Sequence, residues 1–254
     1  MKKMGEIKYL IIPDVHGREF WCEPVKHALK NTDAHIVFLG DYLDCYPHEF
    51  EHGFDFKEHS IANFNEIISL KKENNDRITL LQGNHDEGYR FDLDICDCRT
   101  DYKNFERIRK IFIENKDLFQ LADEAYVNGK HFIFSHAGIH KGYIDFAFPD
   151  EKDNINEDNV VAYFNNAYYT EEPHVINSLG MYDRYRGSWG YEVGSLVWAD
   201  VHSWLGEYDG YGYQVFGHTQ LEHGCGGIIQ ENFAMLDCAQ AFIINELGEI
   251  KSFS

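Results

Sequence analysis

Five short polar clusters stand at the ends of five apolar runs: Asp14-Val15-His16-Gly17, Gly40-Asp41-Tyr42-Leu43-Asp44, Gly83-Asn84-His85-Asp86, Ser135-His136-Ala137-Gly138 and Gly217-His218-Thr219. Aspartate, histidine and asparagine recur, usually beside a glycine. Together these donors suit a pair of metal ions. Two cations a few ångströms apart repel each other, so they need a carboxylate between them and neutral imidazole or oxygen donors around them. Asp14 and His16, one residue apart, can point to the same side of a chain leaving a strand. Asp41 is the natural bridge, and Asn84, His136 and His218 can complete a second ion with neutral donors. The glycines allow sharp turns and close approach. Taken singly, each cluster has a plainer explanation. Gly-Asp is often a turn or a helix cap, Asn84 suits a left-handed turn, and a histidine after an apolar strand is often a satisfied core residue. Five such coincidences in one chain are a poor account of it.

The elements that must position these residues are legible nearby. "IKYLIIPD" ends at Pro13 and reads as a buried strand, and "EPVKHALKN" places Pro24 in the first turn of a helix. "AHIVFLGD" is a second strand. "FKEHSIANFNEIISLKKENN" spaces Ile61, Phe64, Ile67 and Ile68 as a helix does, and "RITLLQGN" is a third strand. Strand–helix–strand–helix–strand is the pattern of an α/β layered fold. "YKNFERIRKIFIENKD" reads as a further helix, and Asn128-Gly129 between apolar runs is a hairpin signal. From about 143 to 195 the chain is rich in Asn, Asp, Glu, Tyr and Phe; "NEDNVVAYFNNAYY" reads as helix and the rest as loop. We expect one domain over residues 1–254, with this segment as an insertion or lid over the site. Short strands with turns close the chain. In open α/β sheets ligands bind beyond the carboxyl ends of strands, so all five clusters can converge.

Composition narrows the function. A length of 254 residues supports a core without staples, and a net charge of −20 disfavours a nucleic-acid partner, whose phosphates call for Lys and Arg. The six cysteines, Cys22, Cys45, Cys96, Cys98, Cys225 and Cys238, lack C-x-x-C spacing, so no zinc ribbon is expected, and their scatter suits a reducing cytoplasm. The apolar run Tyr9 to Ile12 is too short for a signal peptide, and no segment reads as a membrane span. His27, His35, His48, His52, His59, His131, His174, His202 and His223 lack partners in the clusters and are expected on the surface or in packing. His140, close after the fourth cluster, is expected to have no role in the site, and Asp200, after Trp198, is expected to be structural.

In order, "DVHG", "GDYLD", "GNHD", "SHAG" and "GHT" resemble the signature of the calcineurin-like metallophosphoesterases, and within them the phosphoprotein phosphatase branch. Gln220 stands where a second histidine would mark other branches, and "EVGSLVWAD" resembles that branch's Leu-x-Trp segment. The resemblance implies a four-layer α/β/β/α sandwich of two mixed β-sheets flanked by helices. It implies Asp14, His16 and Asp41 on one ion, and Asp41, Asn84, His136 and His218 on a second. It implies His85 as a general acid oriented by Asp44, with a metal-activated hydroxide attacking phosphorus in line. Mixed oxygen and nitrogen ligation suits two divalent ions, manganese first and iron or zinc as alternatives; magnesium fits less well.

One departure stands out. The branch reads Gly-Asp-x-x-Asp-Arg-Gly, and its arginine grips phosphate; here Cys45 and Tyr46 replace Arg-Gly. Losing a guanidinium fork removes charge and geometry together. Arg184 and Arg186, in the insertion, are the first candidates to replace it, followed by Arg18 and Arg90, with Asn84 also near the phosphate. The expected function is a metal-dependent phosphomonoesterase of the serine/threonine phosphatase kind, acting on a phosphoprotein or a small phosphoester. The alternative is a symmetrical diadenosine tetraphosphate hydrolase. A nuclease is disfavoured by the charge and by Gln220. A silent binding module is disfavoured because His85 and every expected ligand are present.

Overall fold

The computed structural model describes residues 6–91, 99–188, 190–206 and 208–253; Cys96 and Cys98 lie outside the described residues. In chain order the elements are β1 (Ile7–Ile12), α1 (Cys22–Asn31), β2 (His35–Phe38), α2 (Phe56–Glu73), β3 (Ile78–Leu81), α3 (Asn84–Phe91), α4 (Phe105–Glu114), β4 (Phe119–Gln120), β5 (Ala122–Val127) and β6 (Lys130–Ser135). They continue with α5 (Lys141–Ala147), α6 (Val160–Tyr169), α7 (Pro173–Leu179), α8 (Val201–Trp204), β7 (Tyr213–Phe216), β8 (Ile228–Ile229), β9 (Phe233–Met235), β10 (Phe242–Asn245) and β11 (Ile250–Ser252).

Two mixed sheets result. The first runs β11-β10-β1-β2-β3-β4, with β1 to β4 parallel and the two C-terminal strands antiparallel. The second runs β5-β6-β7-β9-β8, with β6, β7 and β9 parallel. The parallel strands are short apolar runs, as strands covered on both faces must be. Ile11, Val37 and Leu81 of the first sheet and Phe132, Phe134, Val215 and Ala234 of the second share one buried layer between the sheets. Alternation sends the intervening residues outward. Leu10, Ile36 and Leu80 meet Val25, Phe64 and Ile67 of α1 and α2, while Ile133 joins the same cluster as Tyr143, Ile144 and Phe164 of α5 and α6. Trp204 of α8 packs on Phe216 and Phe233. The order is helix, sheet, sheet, helix, as expected from the resemblance.

Local chemistry explains the boundaries. Asp55 caps α2 by accepting the Glu58 N–H at 3.2 Å, and Lys71 and Lys72 close its last turn. Asn128 and Gly129, with φ of 51° and 77°, form the tight turn between β5 and β6. One expectation needs correction, and one helix was not foreseen. The segment after β3 is helical as α3, although it lacks an apolar stripe. Residues 143–195 are also less loop-like than their composition suggests: α7 is helical as well as α6, starting on Pro173 and burying Val175, Ile176 and Leu179. No helix among the described residues is long and apolar enough to cross a membrane.

Candidate metal centre

All five clusters leave parallel strands at their carboxyl ends: Asp14 and His16 after β1, Asp41 after β2, Asn84 and His85 after β3, His136 after β6, and His218 after β7. The loops lock onto one another through the backbone. The N–H groups of Val15 and His16 donate to the Asp41 carbonyl at 3.1 and 2.7 Å, and Gly217 N–H donates to the His136 carbonyl at 2.8 Å. Asp86 clips the second loop to the third: its carboxylate accepts from the N–H groups of Asp41 at 2.7 Å, Tyr42 at 3.1 Å and Gly83 at 2.9 Å. That clip also starts α3, which buries the polar side chains of Asn84, His85, Asp86, Glu87 and Arg90 beside Tyr89.

The backbone at the site is strained. His16, Asp41, Asp44 and His218 have φ of 46°, 54°, 57° and 67°. Left-handed backbone costs a non-glycine residue about 1–3 kcal/mol when the surroundings impose it, and it gathers at functional sites. Two glycines make room for the carboxylates. A Cβ at Gly83 would stand 2.2 Å from Asp41 Oδ1, and one at Gly217 2.0 Å from Asp14 Oδ2. We therefore expect Gly217→Ala to displace Asp14, lowering stability by about 1–3 kcal/mol and weakening manganese binding. Thermal melts with and without manganese measure both effects.

The donor atoms form two groups sharing Asp41: His16, Asp41 and His85, and Asp41, His136 and His218, with ligand atoms within 4.8 Å of one another in each. His16 Nδ1 donates to the Leu43 carbonyl at 2.8 Å and His136 Nδ1 to the Leu39 carbonyl at 2.9 Å. A carbonyl cannot donate, so these bonds place a proton on each Nδ1 and turn each Nε2 inward, where its lone pair can bind a cation. Both lone pairs stand 3.5 Å from Asp41 Oδ2. His136 Nε2 also faces Asn84 Oδ1 at 3.0 Å and His218 Nδ1 at 3.1 Å. His218 Nε2 is buried with no partner. Acceptor atoms turned toward one another in a buried pocket call for cations between them, so the residues fit divalent ions. Asp14 lies just outside these groups, accepting the His218 N–H on both oxygens at 3.0 Å and standing 3.9 Å from His136 Nε2.

Burial governs the protonation states. It pushes His16 and His218 well below the ordinary imidazole range; Asp41 opposes the shift at His16, and Arg186 adds to it at His218. Burial also raises Asp14, although His136 draws it back. At Asp41 burial is outweighed by His136, His85 and His16, leaving the carboxyl at about 2. The sign for His218 follows directly. The unfolded chain takes up a proton near pH 6.5 and the folded chain does not, so stability falls below that pH by up to about 1.4 kcal/mol per pH unit. In a chelator, we expect His218→Asn to flatten that slope. The difference from wild type cancels the opposite contribution of the raised carboxylates.

Beside the first group, His85 Nδ1 bonds Asp44 Oδ2 at 2.8 Å, and Tyr89 donates to the other Asp44 oxygen at 2.5 Å. The four candidate arginines are placed differently. Arg186 reaches the His218 carbonyl at 3.3 Å and Thr219 Oγ1 at 3.1 Å, with Asp200 3.1 Å from its Nε. Arg18 is bound at both ends of its fork by Glu49, at 2.7 and 2.9 Å. Arg90 lies over Tyr168 at 3.8 Å, and Arg184 is fully exposed over Tyr185. His140 caps α5 by accepting the Gly142 N–H and packs on Trp204. Asp200 caps α8 as well as holding Arg186.

Asp237, just after β9, belongs with these residues and was missed in the sequence. It is buried, its Oδ1 has no partner, and burial and Asp14 push its carboxyl well up. Its signal was the same one, an apolar run closing on aspartate, but without a glycine beside it. Trp198 was also missed as a site neighbour; its ring stands edge-on to His218 at 5.4 Å.

Similarity to known proteins places the chain in a family. A probable serine/threonine-protein phosphatase of Encephalitozoon cuniculi is 25% identical over 162 residues, which cover 60% of this chain and 29% of that protein. The matched region is thus under a third of that relative's length. Among solved structures, a protein serine/threonine phosphatase from Saccharomyces cerevisiae, with similarity to human phosphatase PP5, shares the fold at TM-score 0.51 and 15% identity, over 100% of this chain and 81% of that one. A structure of a candidate diadenosine tetraphosphatase aligns at TM-score 0.46 and 15% identity over 97% of this chain and 93% of that one. Residues 7–222, which hold all six expected metal donors, match the model of the calcineurin-like phosphoesterases. The chain belongs to the calcineurin-like phosphoesterase family, a family of phosphoester hydrolases.

Proposed function

We propose that the chain is a metal-dependent phosphomonoesterase of the serine/threonine phosphatase kind, acting on a phosphoprotein or a small phosphoester. The observation that carries this reading is the convergence of Asp41 Oδ2, Asn84 Oδ1 and the inward nitrogens of His16, His136 and His218, with the His85–Asp44 pair alongside. Asp14, His16 and Asp41 would hold one divalent ion, and Asp41, Asn84, His136 and His218 a second, with the Asp237 carboxyl close enough to feel Asp14 and Asp41. Manganese suits this donor set first, iron or zinc next. When bound, the ions would neutralise the phosphate and supply an activated water.

The chain's own residues do the rest. Asp41 accepts the His85 N–H at 3.0 Å, tying the acid to the bridge. Asp44 holds the His85 ring so that Nε2 can protonate the leaving oxygen. Arg186 comes from the 143–195 segment to the end of β7, which supports substrate selection by that segment acting as a lid. The name of the Encephalitozoon relative supports the phosphatase reading. The free cysteines of this chain, Cys22, Cys45, Cys225 and Cys238 among the described residues, suit a cytoplasmic location.

The second reading, hydrolysis of symmetrical dinucleoside polyphosphates, also has one observation behind it. Phe50 and Phe54 stack at 5.5 Å, 2° from parallel, beside an open cleft of about 530 Å³ shared with Arg18. Such a face could carry a nucleobase. The deciding experiment is hydrolysis with added manganese of phosphopeptides and p-nitrophenyl phosphate against diadenosine tetraphosphate. Turnover of the monoesters is the expected result; turnover of the dinucleotide alone would replace the first reading with the second, and turnover of none would remove both.

A further inference from the structure

Arg99 has no sequence neighbour among the five clusters, yet the fold brings it beside the first donor group. Its guanidinium carbon lies over Tyr46, 3.6 Å from the ring centroid, and its Nε donates to the Asp44 carbonyl at 3.1 Å. Tyr46 in turn stands edge-on to His16, 5.1 Å away and at 82°. Arg99 is therefore tied at two points to residues that flank His16 and His85. Arg18, Arg90 and Arg186 are each engaged by a carboxylate, Glu49, Glu171 and Asp200 respectively. Neither terminal amino group of Arg99 hydrogen-bonds another described residue.

The neighbouring positions explain why the cation comes from so far along the chain. Cys45 is buried and turned under Gly17: a Cβ on that glycine would meet its sulfur at 2.3 Å. A long cation at position 45 has no route to the site along that side chain's path. The next residue, Tyr46, supplies an aromatic face instead. Stacking fixes the plane of a guanidinium, and the Nε bond fixes its rotation about the ring normal. What remains is a pre-set fork of two amino groups, the geometry that matches a pair of phosphoryl oxygens.

We propose that Arg99, pinned on Tyr46, grips the phosphoryl oxygens of the substrate in place of the cation missing at Cys45. The proposal rests on the phosphoester-hydrolase reading above.

The test measures binding of inorganic phosphate to the manganese-loaded protein by calorimetry, alongside KM for p-nitrophenyl phosphate and manganese content. Arg99→Gln is expected to weaken phosphate binding about 10- to 100-fold and raise KM in step, with both ions retained. Tyr46→Leu should give much of the same loss, and the double variant little more than Arg99→Gln alone, because the two act as one unit. Wild-type phosphate affinity in Arg99→Gln with full manganese overturns the proposal. If Arg99→Gln loses manganese, Arg99→Lys decides, since it keeps the charge and lacks the fork; phosphate affinity equal to wild type's then overturns the proposal. A wild-type protein that takes up manganese but neither binds phosphate nor hydrolyses any ester fails at the earlier step and overturns the hydrolase reading itself.

Discussion

Asp41→Asn is expected to cut manganese-dependent hydrolysis of p-nitrophenyl phosphate about 10³-fold or more, the scale of losing an ion that activates the nucleophile. The reason lies in how its two oxygens are used. Oδ1 accepts the His85 N–H at 3.0 Å, and an asparagine carbonyl keeps that bond. Oδ2 stands 3.5 Å from the Nε2 lone pairs of both His16 and His136, where its charge can serve two ions. An amide at that place brings N–H donors instead, which satisfy the lone pairs and displace the cations. The stability prediction therefore has an unusual sign. In a chelator the variant should melt at or above the wild-type temperature, because a buried repulsion has become a hydrogen bond. Added manganese should raise the wild-type melt, by about 2.7 kcal/mol at a hundredfold excess over Kd, and leave the variant unmoved. A variant that binds manganese and turns over like wild type would remove Asp41 as the bridge.

The six proposed donors stood out in the sequence because each follows a short apolar strand, and strand ends of parallel sheets gather at one edge. What could not be read is what makes them donors. The tautomers of His16 and His136 are set by the carbonyls of Leu43 and Leu39, and a backbone oxygen leaves no mark on residue type. Asp86 looked like the tail of a motif, yet it is the clip that joins two loops through three backbone N–H groups. Sequence proximity favoured Arg18 and Arg90, and membership of the insertion favoured Arg184 and Arg186; the role proposed for Arg99 rests instead on its tertiary contacts with Tyr46 and Asp44.

The fold was legible where burial leaves a periodic trace. Ile61, Phe64, Ile67 and Ile68 mark α2, and Asn128-Gly129 marks the β5–β6 turn. α3 left no trace because Asn84, His85, Asp86, Glu87 and Arg90 bury polar atoms, so its inward face has no apolar stripe. The pairing of β10 with β1 was equally hidden. It joins residues more than 230 positions apart, Ile7 with Asn245, and rests on a register that only the assembled sheet defines.

His85→Asn carries the second large prediction, and its signature is selectivity among leaving groups. His85 Nδ1 is held by Asp44, and Asp44 by Tyr89, whose oxygen also accepts the Asp101 N–H at 2.7 Å. That relay aims the opposite ring nitrogen toward the donor group that includes His16 and Asp41. A proton donor there matters in proportion to the basicity of the departing oxygen. Phosphoserine peptides or an alkyl phosphate should lose about 10²- to 10⁴-fold in kcat. p-Nitrophenyl phosphate, whose phenolate leaves without a proton, should lose far less. Asp44→Asn should show the same pattern more weakly, because the ring is then misaligned but present. Manganese content separates this role from the competing one, in which His85 is itself a metal donor. Retained metal with a leaving-group-dependent loss supports the acid. Equal losses on both substrates, or loss of an ion, would transfer His85 to the ligand set and leave the leaving oxygen to find its proton elsewhere.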